Sequence, residues 1–290
     1  MSTIANMTAI ADNFTSSIYD PVLSQSNRQN VTHKQDQNDW QQLIAKDFSL
    51  AARAYHEHNV VQQYTSAMLT EYMQQPQGIL LDIGAGPGTD FSDCSALNHV
   101  ISIDIAAGML NQLRDNFPHY HAIQGDAQSL PLLSRSVNAI YSNLALQWCG
   151  DFKKAVLEAA RVLTPLGSFD ISVVAKNSLP ELSSLGFKVN PFQPFDALVS
   201  CFDEKNWQVM EARLAPVTVY FDDLKSLLYS IKGVGASALM GRHEPSSLML
   251  RGRQDWQSLN EKAQSLRQSK GIPLTYYIAI IRAKRKHNLV

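Results

Sequence analysis

Apolar residues along this chain fall into two rhythms. Between Leu43 and Met73 they recur at helical spacing, with Phe48, Ala51, Ala52 and Tyr55 followed by Val60, Tyr64, Ala67 and Met68. This predicts two helices with a break near His58-Asn59. From residue 79 the rhythm changes to short apolar runs of strand length, at 79–83, 100–104, 120–124, 139–143 and 168–174. Helical stretches separate them: 106–116, with Met109, Leu110 and Leu113 on one face, and 151–163, stopped by Thr164-Pro165-Leu166-Gly167. Strands alternating with helices predict an α/β fold with a mostly parallel sheet. Two later strands, 213–221 and 274–283, complete a sheet of seven.

Residues 1–40 are rich in Ser, Asn, Gln and Thr, with few clustered apolar positions, and read as a flexible polar extension. Residues 41–290 then form one domain. Its late segments, about 178–212 and 222–268, interrupt the α/β rhythm and read as helical insertions that cover a ligand and hold an acceptor.

The strand at 79–83 ends in Asp82 and runs into Gly84-Ala85-Gly86-Pro87-Gly88. Asp104 ends the next strand, and Asp126 follows the third in Gln124-Gly125-Asp126-Ala127. Strand, glycine loop, acid and acid form the plan of a nucleoside site in an open sheet. A dinucleotide fingerprint requires G-x-G-x-x-G. Here the glycines stand at 84, 86 and 88 and position 89 is Thr, so the register is wrong for NAD.

Three acids without a pyrophosphate cradle suit S-adenosylmethionine, which brings a sulfonium, an ammonium, a ribose diol and an adenine. The expected roles are Asp82 near the ammonium, Asp104 on the ribose hydroxyls and Asp126 on the adenine amine. Backbone amides around Gly86–Gly88 face the methionyl carboxylate. Gly84, Ala85, Ile105, Met109 and Ala127 join them from the same loops. In such sheets ligands bind beyond the carboxyl ends of the strands. That places Asn143 near the transferred methyl, with Leu144 and the run to Trp148 towards the acceptor.

Charge is nearly balanced overall, at −1, but lopsided along the chain: residues 1–204 carry −9 and residues 205–290 carry +8. A basic late segment suits an acidic partner. Cys94, Cys149 and Cys201 are odd in number and far apart, so neither a disulfide framework nor a metal site is indicated. No apolar run reaches membrane-spanning length and no secretory leader is evident. A cytoplasmic monomer with no membrane or nucleic-acid partner is expected.

Several motifs together are more specific than the glycine loop. Phe48-Ser49-Leu50-Ala51-Ala52-Arg53-Ala54-Tyr55, Ser142-Asn143-Leu144-Ala145-Leu146-Gln147-Trp148, Ser178-Leu179-Pro180-Glu181-Leu182, Ile231-Lys232-Gly233-Val234-Gly235-Ala236 and Pro273-Leu274-Thr275-Tyr276 stand in order along the chain. With these the chain resembles the malonyl-acyl-carrier-protein O-methyltransferases of biotin synthesis, over roughly residues 43–284.

The resemblance implies a Rossmann-like class I methyltransferase fold with a helical lid. It implies methylation of the free carboxylate of a malonyl thioester, on acyl carrier protein or coenzyme A, giving the methyl ester used at the pimeloyl stage. A carboxylate acceptor is already ionised at neutral pH and needs no general base. Lys232, Arg53 and Tyr55, which sit in the family-like motifs, are the candidates to hold it. A small-molecule or quinone-like acceptor stays open. A phenol or carbon acid would need a base, for which His56 and His58 are the candidates.

Overall fold

The computed structural model describes residues 33–236 and 253–287. Residues 1–32 of the expected extension and 237–252 of the second expected insertion lie outside the described residues. The chain opens with helix α1 (His33–Ala51), a short turn of 3-10 helix (Ala52–Ala54), α2 (Tyr55–His58) and α3 (Val60–Tyr72). The helical break falls at Asn59, as the apolar spacing predicts. The first helix, however, begins at His33, within the stretch read as extension.

The sheet strands are β1 (Gly78–Ile83), β2 (Leu97–Asp104), β3 (His121–Gln124), β4 (Val137–Asn143), β5 (Leu163–Val174), β6 (Trp207–Phe221) and β7 (Ile272–Arg285). Between them lie α4 (Ala107–Asn116), α5 (Phe152–Val162), α6 (Pro180–Ser184), α7 (Phe195–Ser200), α8 (Leu224–Lys232) and α9 (Arg253–Ser265). Spatial order is β3-β2-β1-β4-β5-β7-β6. The first five strands are parallel, β7 is antiparallel to β5, and β6 is antiparallel to β7.

Local chemistry sets the helix starts. The Asp151 carboxylate accepts from the Lys154 amide at 3.0 Å and caps α5, whose Phe152, Ala155, Val156 and Ala159 are buried. Asp223 caps α8 in the same way through the Ser226 amide, at 2.7 Å. The region 178–212 is less helical than its composition predicts. It contains two helices of five and six residues, and from Trp207 onward it is already β6. Pro180 and Pro194 stand at the starts of these two helices, where proline is tolerated.

The two faces of the sheet differ. One face carries the apolar row Ile101, Leu81, Ile140, Phe169 and Ala283, paired in register across β2, β1, β4, β5 and β7. The row beside it, on the opposite face, is Ser102, Asp82, Tyr141, Asp170 and Arg282, continued by Glu211 on β6. Successive residues of a strand alternate between faces, so register partners stand side by side on one face. A polar line six strands wide therefore runs beneath one side of the sheet. Arg282 closes its far end, with Nε 2.7 Å from Asp170 and a second nitrogen 3.8 Å from Glu211.

Candidate cofactor site

The strand order reverses between β1 and β4, and a crevice opens there at the carboxyl ends of the strands. The glycine loop builds its floor. The Gly84 and Ala85 amides donate to the Ile103 carbonyl at 2.7 and 3.1 Å, which pins the loop to β2. Gly84 adopts φ +69°, and a Cβ there would lie 2.1 Å from the Ala145 side chain, so only glycine fits. Gly86, at φ +56°, has open space up to the Tyr55 phenol, 4.0 Å from where a Cβ would sit.

A cavity of about 760 Å³, counted out to its open mouth, sits over this loop. That is within the range for small-molecule sites. Of the residues expected to hold the cofactor, Gly84, Gly86, Asp104, Ile105, Met109, Asp126, Ala127, Asn143 and Leu144 line it. Asp82, Ala85 and Gly88 do not: Asp82 and Ala85 are buried, and Gly88 packs on the Phe117 ring. Gln41, Ile44 and Phe48 of α1 form a wall that the sequence reading did not assign to the site, together with Gln128 and Cys149. Phe48 meets Trp148 edge to face, with ring centroids 5.4 Å apart.

The three acids have different surroundings. Asp104 accepts the Gly86 amide on Oδ2 at 2.9 Å and the Ala106 amide on Oδ1 at 2.8 Å. Burial pushes its pKa up, and these amides oppose the shift. A carboxylate has about four acceptor positions, so capacity remains for a diol. Asp126 is held by amides too. Its Oδ1 accepts from the Gln128 backbone at 2.9 Å and side chain at 3.1 Å, and its Oδ2 from Gln41 at 2.9 Å.

Asp82 is unlike both. It is only 1% exposed, and its Oδ2 has no hydrogen-bond partner among the described residues. Burial, reinforced by the negative charge of Asp104, raises its pKa to about 8.

Asn143 lines the cavity, but its side chain is largely engaged elsewhere. Its Oδ1 accepts from Thr65 at 2.8 Å and Ser172 at 2.6 Å, and its Nδ2 donates to the Gln62 carbonyl at 2.8 Å. It therefore ties α3 to the sheet. Leu144 follows in left-handed backbone, at φ +49°, with its amide on the Ser172 carbonyl at 3.0 Å.

Of the acceptor candidates only Tyr55 reaches the cavity. Its phenol is pushed well above its usual pKa by burial and then by Asp104 and Asp82, so it stays a neutral donor. Arg53 and Lys232 are exposed and do not line the cavity, and the Lys232 ammonium lies 5.9 Å from the Tyr229 ring centre. His56 is exposed, and His58 lines a separate open groove with Tyr229. The Lys232-Gly233-Val234-Gly235 turn has a packing role. A Cβ on Gly233 would strike the His58 ring at 2.0 Å, and one on Gly235 would strike Phe48 at 2.7 Å. The turn thus holds α2 and the Phe48 wall in place.

Among the described residues no group of three or more His, Cys, Asp or Glu is placed to hold a metal, and no helix is long and apolar enough to cross a membrane. The donor set fits S-adenosylmethionine: a carboxylate, Asp104, with spare acceptor positions, a second acid on the cavity wall, a side-chain-free loop, and behind it a buried acid, Asp82, with an unpartnered oxygen for a cofactor bearing cations.

Comparison with known proteins agrees. Residues 81–171 match a family model described as a methyltransferase domain. Among solved structures, a candidate methyltransferase from Bacillus halodurans superposes with a TM-score of 0.52 at 14% identity, over 77% of this chain and 98% of that one. That likeness establishes the class I methyltransferase architecture. Among curated proteins, a malonyl-[acyl-carrier protein] O-methyltransferase of Erwinia billingiae is 38% identical, over 70% of this chain and 83% of its own length. A protein of the same name from Salmonella typhimurium is 32% identical, over 82% of this chain and 94% of its own length. With a methyltransferase sheet, a glycine-floored cavity and this extent of identity, the chain belongs to the malonyl-[acyl-carrier protein] O-methyltransferase family.

Proposed function

We propose that this chain methylates the free carboxylate of a malonyl thioester on acyl carrier protein, using S-adenosylmethionine. The product, a malonyl methyl ester, suits the pimeloyl stage of biotin synthesis that the resemblance implies. The observation that carries this reading is the absence of a usable base among the described residues lining the cavity. The titratable groups there are Tyr55, Asp104, Asp126 and Cys149. Both acids are held by amides, while burial keeps the tyrosine and the cysteine protonated. The two histidines that a phenol or carbon acid would need lie outside the cavity. An acceptor that arrives already ionised removes that need.

Bound S-adenosylmethionine supplies an electrophilic methyl group whose departure leaves a neutral thioether. The protein's part is positioning, which can supply much of the rate of such a displacement. Asp104 takes the ribose hydroxyls on its remaining acceptor positions, and Asp126 faces the base. Phe48 and Trp148 exclude water beside Leu144. Arg53 and Lys232 serve an acceptor carboxylate from outside the cavity. Arg53 precedes Tyr55 by two residues, and Lys232 begins the turn packed on Phe48.

The test is mass spectrometry of malonyl-acyl carrier protein incubated with the chain and S-adenosylmethionine. The expected result is a gain of one methylene unit that acetyl-acyl carrier protein does not show. A parallel reaction with malonyl-coenzyme A ranks the two thioesters. No gain on either, with cofactor binding intact, would overturn the reading in favour of a small-molecule acceptor.

A further inference from the structure

Asp82 has a place in the polar row that the proposed positioning does not use. Its register partner on β2 is Ser102, whose Oγ is also buried with no hydrogen-bond partner among the described residues. Its partner on β4 is Tyr141, whose hydroxyl donates to Ser66 at 2.9 Å. Asp104 stands two residues beyond Ser102 on the same face of β2, and Tyr55 of α2 contributes its neutral phenol. Tyr120, ahead of β3, also senses the Asp82 charge. Among the described residues no cation perturbs Asp82: the one charge acting on it is the Asp104 carboxylate, and the neighbours that feel its own charge are the phenols of Tyr55, Tyr120 and Tyr141. Buried orphan polar atoms are rare, and two on adjacent strands call for an explanation. A buried carboxyl with no counter-ion avoids the cost of its charge by keeping its proton.

We propose that Asp82 is a proton-exchanging counter-charge for the cofactor: its carboxyl is protonated in the free protein and ionises when a cationic cofactor enters the cavity, so that capture expels a proton to solvent. The inference rests on the S-adenosylmethionine reading of the site. It adds that the cofactor's ammonium, common to S-adenosylmethionine and its demethylated product S-adenosylhomocysteine, is held by a charge created on binding. The Asp82 charge acts across the loop, because the carboxyl lies behind the cavity wall. The chemistry balances as a proton transfer to water or buffer, with no bond to carbon altered. The raised pKa of Asp82, about 8, places the exchange at neutral pH.

The experiment is titration calorimetry of the full chain with S-adenosylhomocysteine, which permits no turnover, in buffers of different ionisation enthalpy. Near pH 7, where the ligand amine is still mostly charged, the wild type is expected to release close to one proton per ligand. Affinity should rise by up to about tenfold per pH unit between pH 6 and 7. The isosteric Asp82→Asn variant should release almost none and bind with affinity nearly independent of pH in that window.

Equal proton release by the variant, or enthalpies of the wild type that do not change with buffer, would overturn the proposal. Should the variant fail to fold, the wild type alone still decides, since release must decline as pH rises through 8. No binding at all would overturn the methyltransferase reading and this inference together, whereas binding without proton release overturns this inference alone.

Discussion

Asp82 and Asp170 stand in the same row of the same face of the sheet, separated only by Tyr141, yet they meet burial in opposite ways. Asp170 lies beside the antiparallel end, where Arg282 reaches across from β7 to within 2.7 Å and opposes the upward push of burial. Asp82 lies beside the parallel, ligand-binding end, and no cation among the described residues acts on it. The difference separates a charge kept for architecture from a charge kept for a ligand. A partner built into the chain fixes the first permanently. The second gains its partner only when the site fills, and until then it costs stability.

The largest effect should come from breaking the pair that is complete. Arg282→Met would leave Asp170, whose side chain is 4% exposed, as a buried acid without its counter-ion. Loss of about 3 kcal/mol is expected, since removing one partner of a buried pair strands the other. Urea unfolding at pH 7 measures it. Little loss would mean that the two ends of the row are equivalent and that the contrast is false.

The opposite sign is expected at Asp82. Its native pKa, about 8, lies above the ordinary carboxylate value of 3.8. Between these limits the native state binds more protons than the unfolded chain, so stability falls as pH rises through the window. Asp82→Asn removes that dependence. The variant should nearly equal the wild type in stability near pH 4 and exceed it by a margin that widens as pH rises towards 8. Thermal unfolding of the ligand-free protein across that range checks it, and a variant less stable at every pH would show that Asp82 holds the sheet together as Asp170 does.

Much of this contrast could be anticipated from the chain, but not its central element. The glycine loop and the acids at 82, 104 and 126 were legible because each follows an apolar run of strand length. Both strand identity and ligand chemistry are local there. The polar row was not legible, because Ser102, Asp82, Tyr141, Asp170 and Arg282 become neighbours only through strand register, which no local pattern encodes. Arg282 sits in the last strand and pairs with a residue far upstream.

The α1 wall was missed for a different reason. Its beginning is polar enough to read as extension, and Gln41 carries no signal until Asp126 is seen opposite it. Arg53 and Lys232, named from the motifs around them, stand outside the cavity lining. The structure shows that in the Lys232 motif it is the glycines that are constrained, by contact with His58 and Phe48.

Asp104 gives the intermediate case, a buried acid partnered by amides rather than by a cation. Asp104→Ala would orphan the Gly86 and Ala106 amides, which it accepts at 2.9 and 2.8 Å, and loosen the glycine loop. S-adenosylhomocysteine affinity should fall by about 1–2 kcal/mol, the usual cost of unmade hydrogen bonds at a buried site. Calorimetric titration reads it, and unchanged affinity would remove Asp104 from the cofactor's reach.

The smallest effect tests whether amides can be traded without changing the character of an acid. Asp126 takes Gln41 on Oδ2 at 2.9 Å but keeps the Gln128 backbone and side chain on Oδ1 at 2.9 and 3.1 Å when Gln41 is removed. Gln41→Ala should therefore leave Asp126 in place and cost binding only about 0.5–1 kcal/mol, the net worth of an ordinary hydrogen bond. Part of that cost would come from a less firmly seated α1, whose Ile44 and Phe48 line the same cavity. Faster release of S-adenosylhomocysteine with an unaltered association rate is the expected signature, because the contact closes the wall over a ligand already inside. An effect as large as that of Asp104→Ala would mean that α1 is a principal holder of the cofactor and that the acids of the sheet are secondary to it.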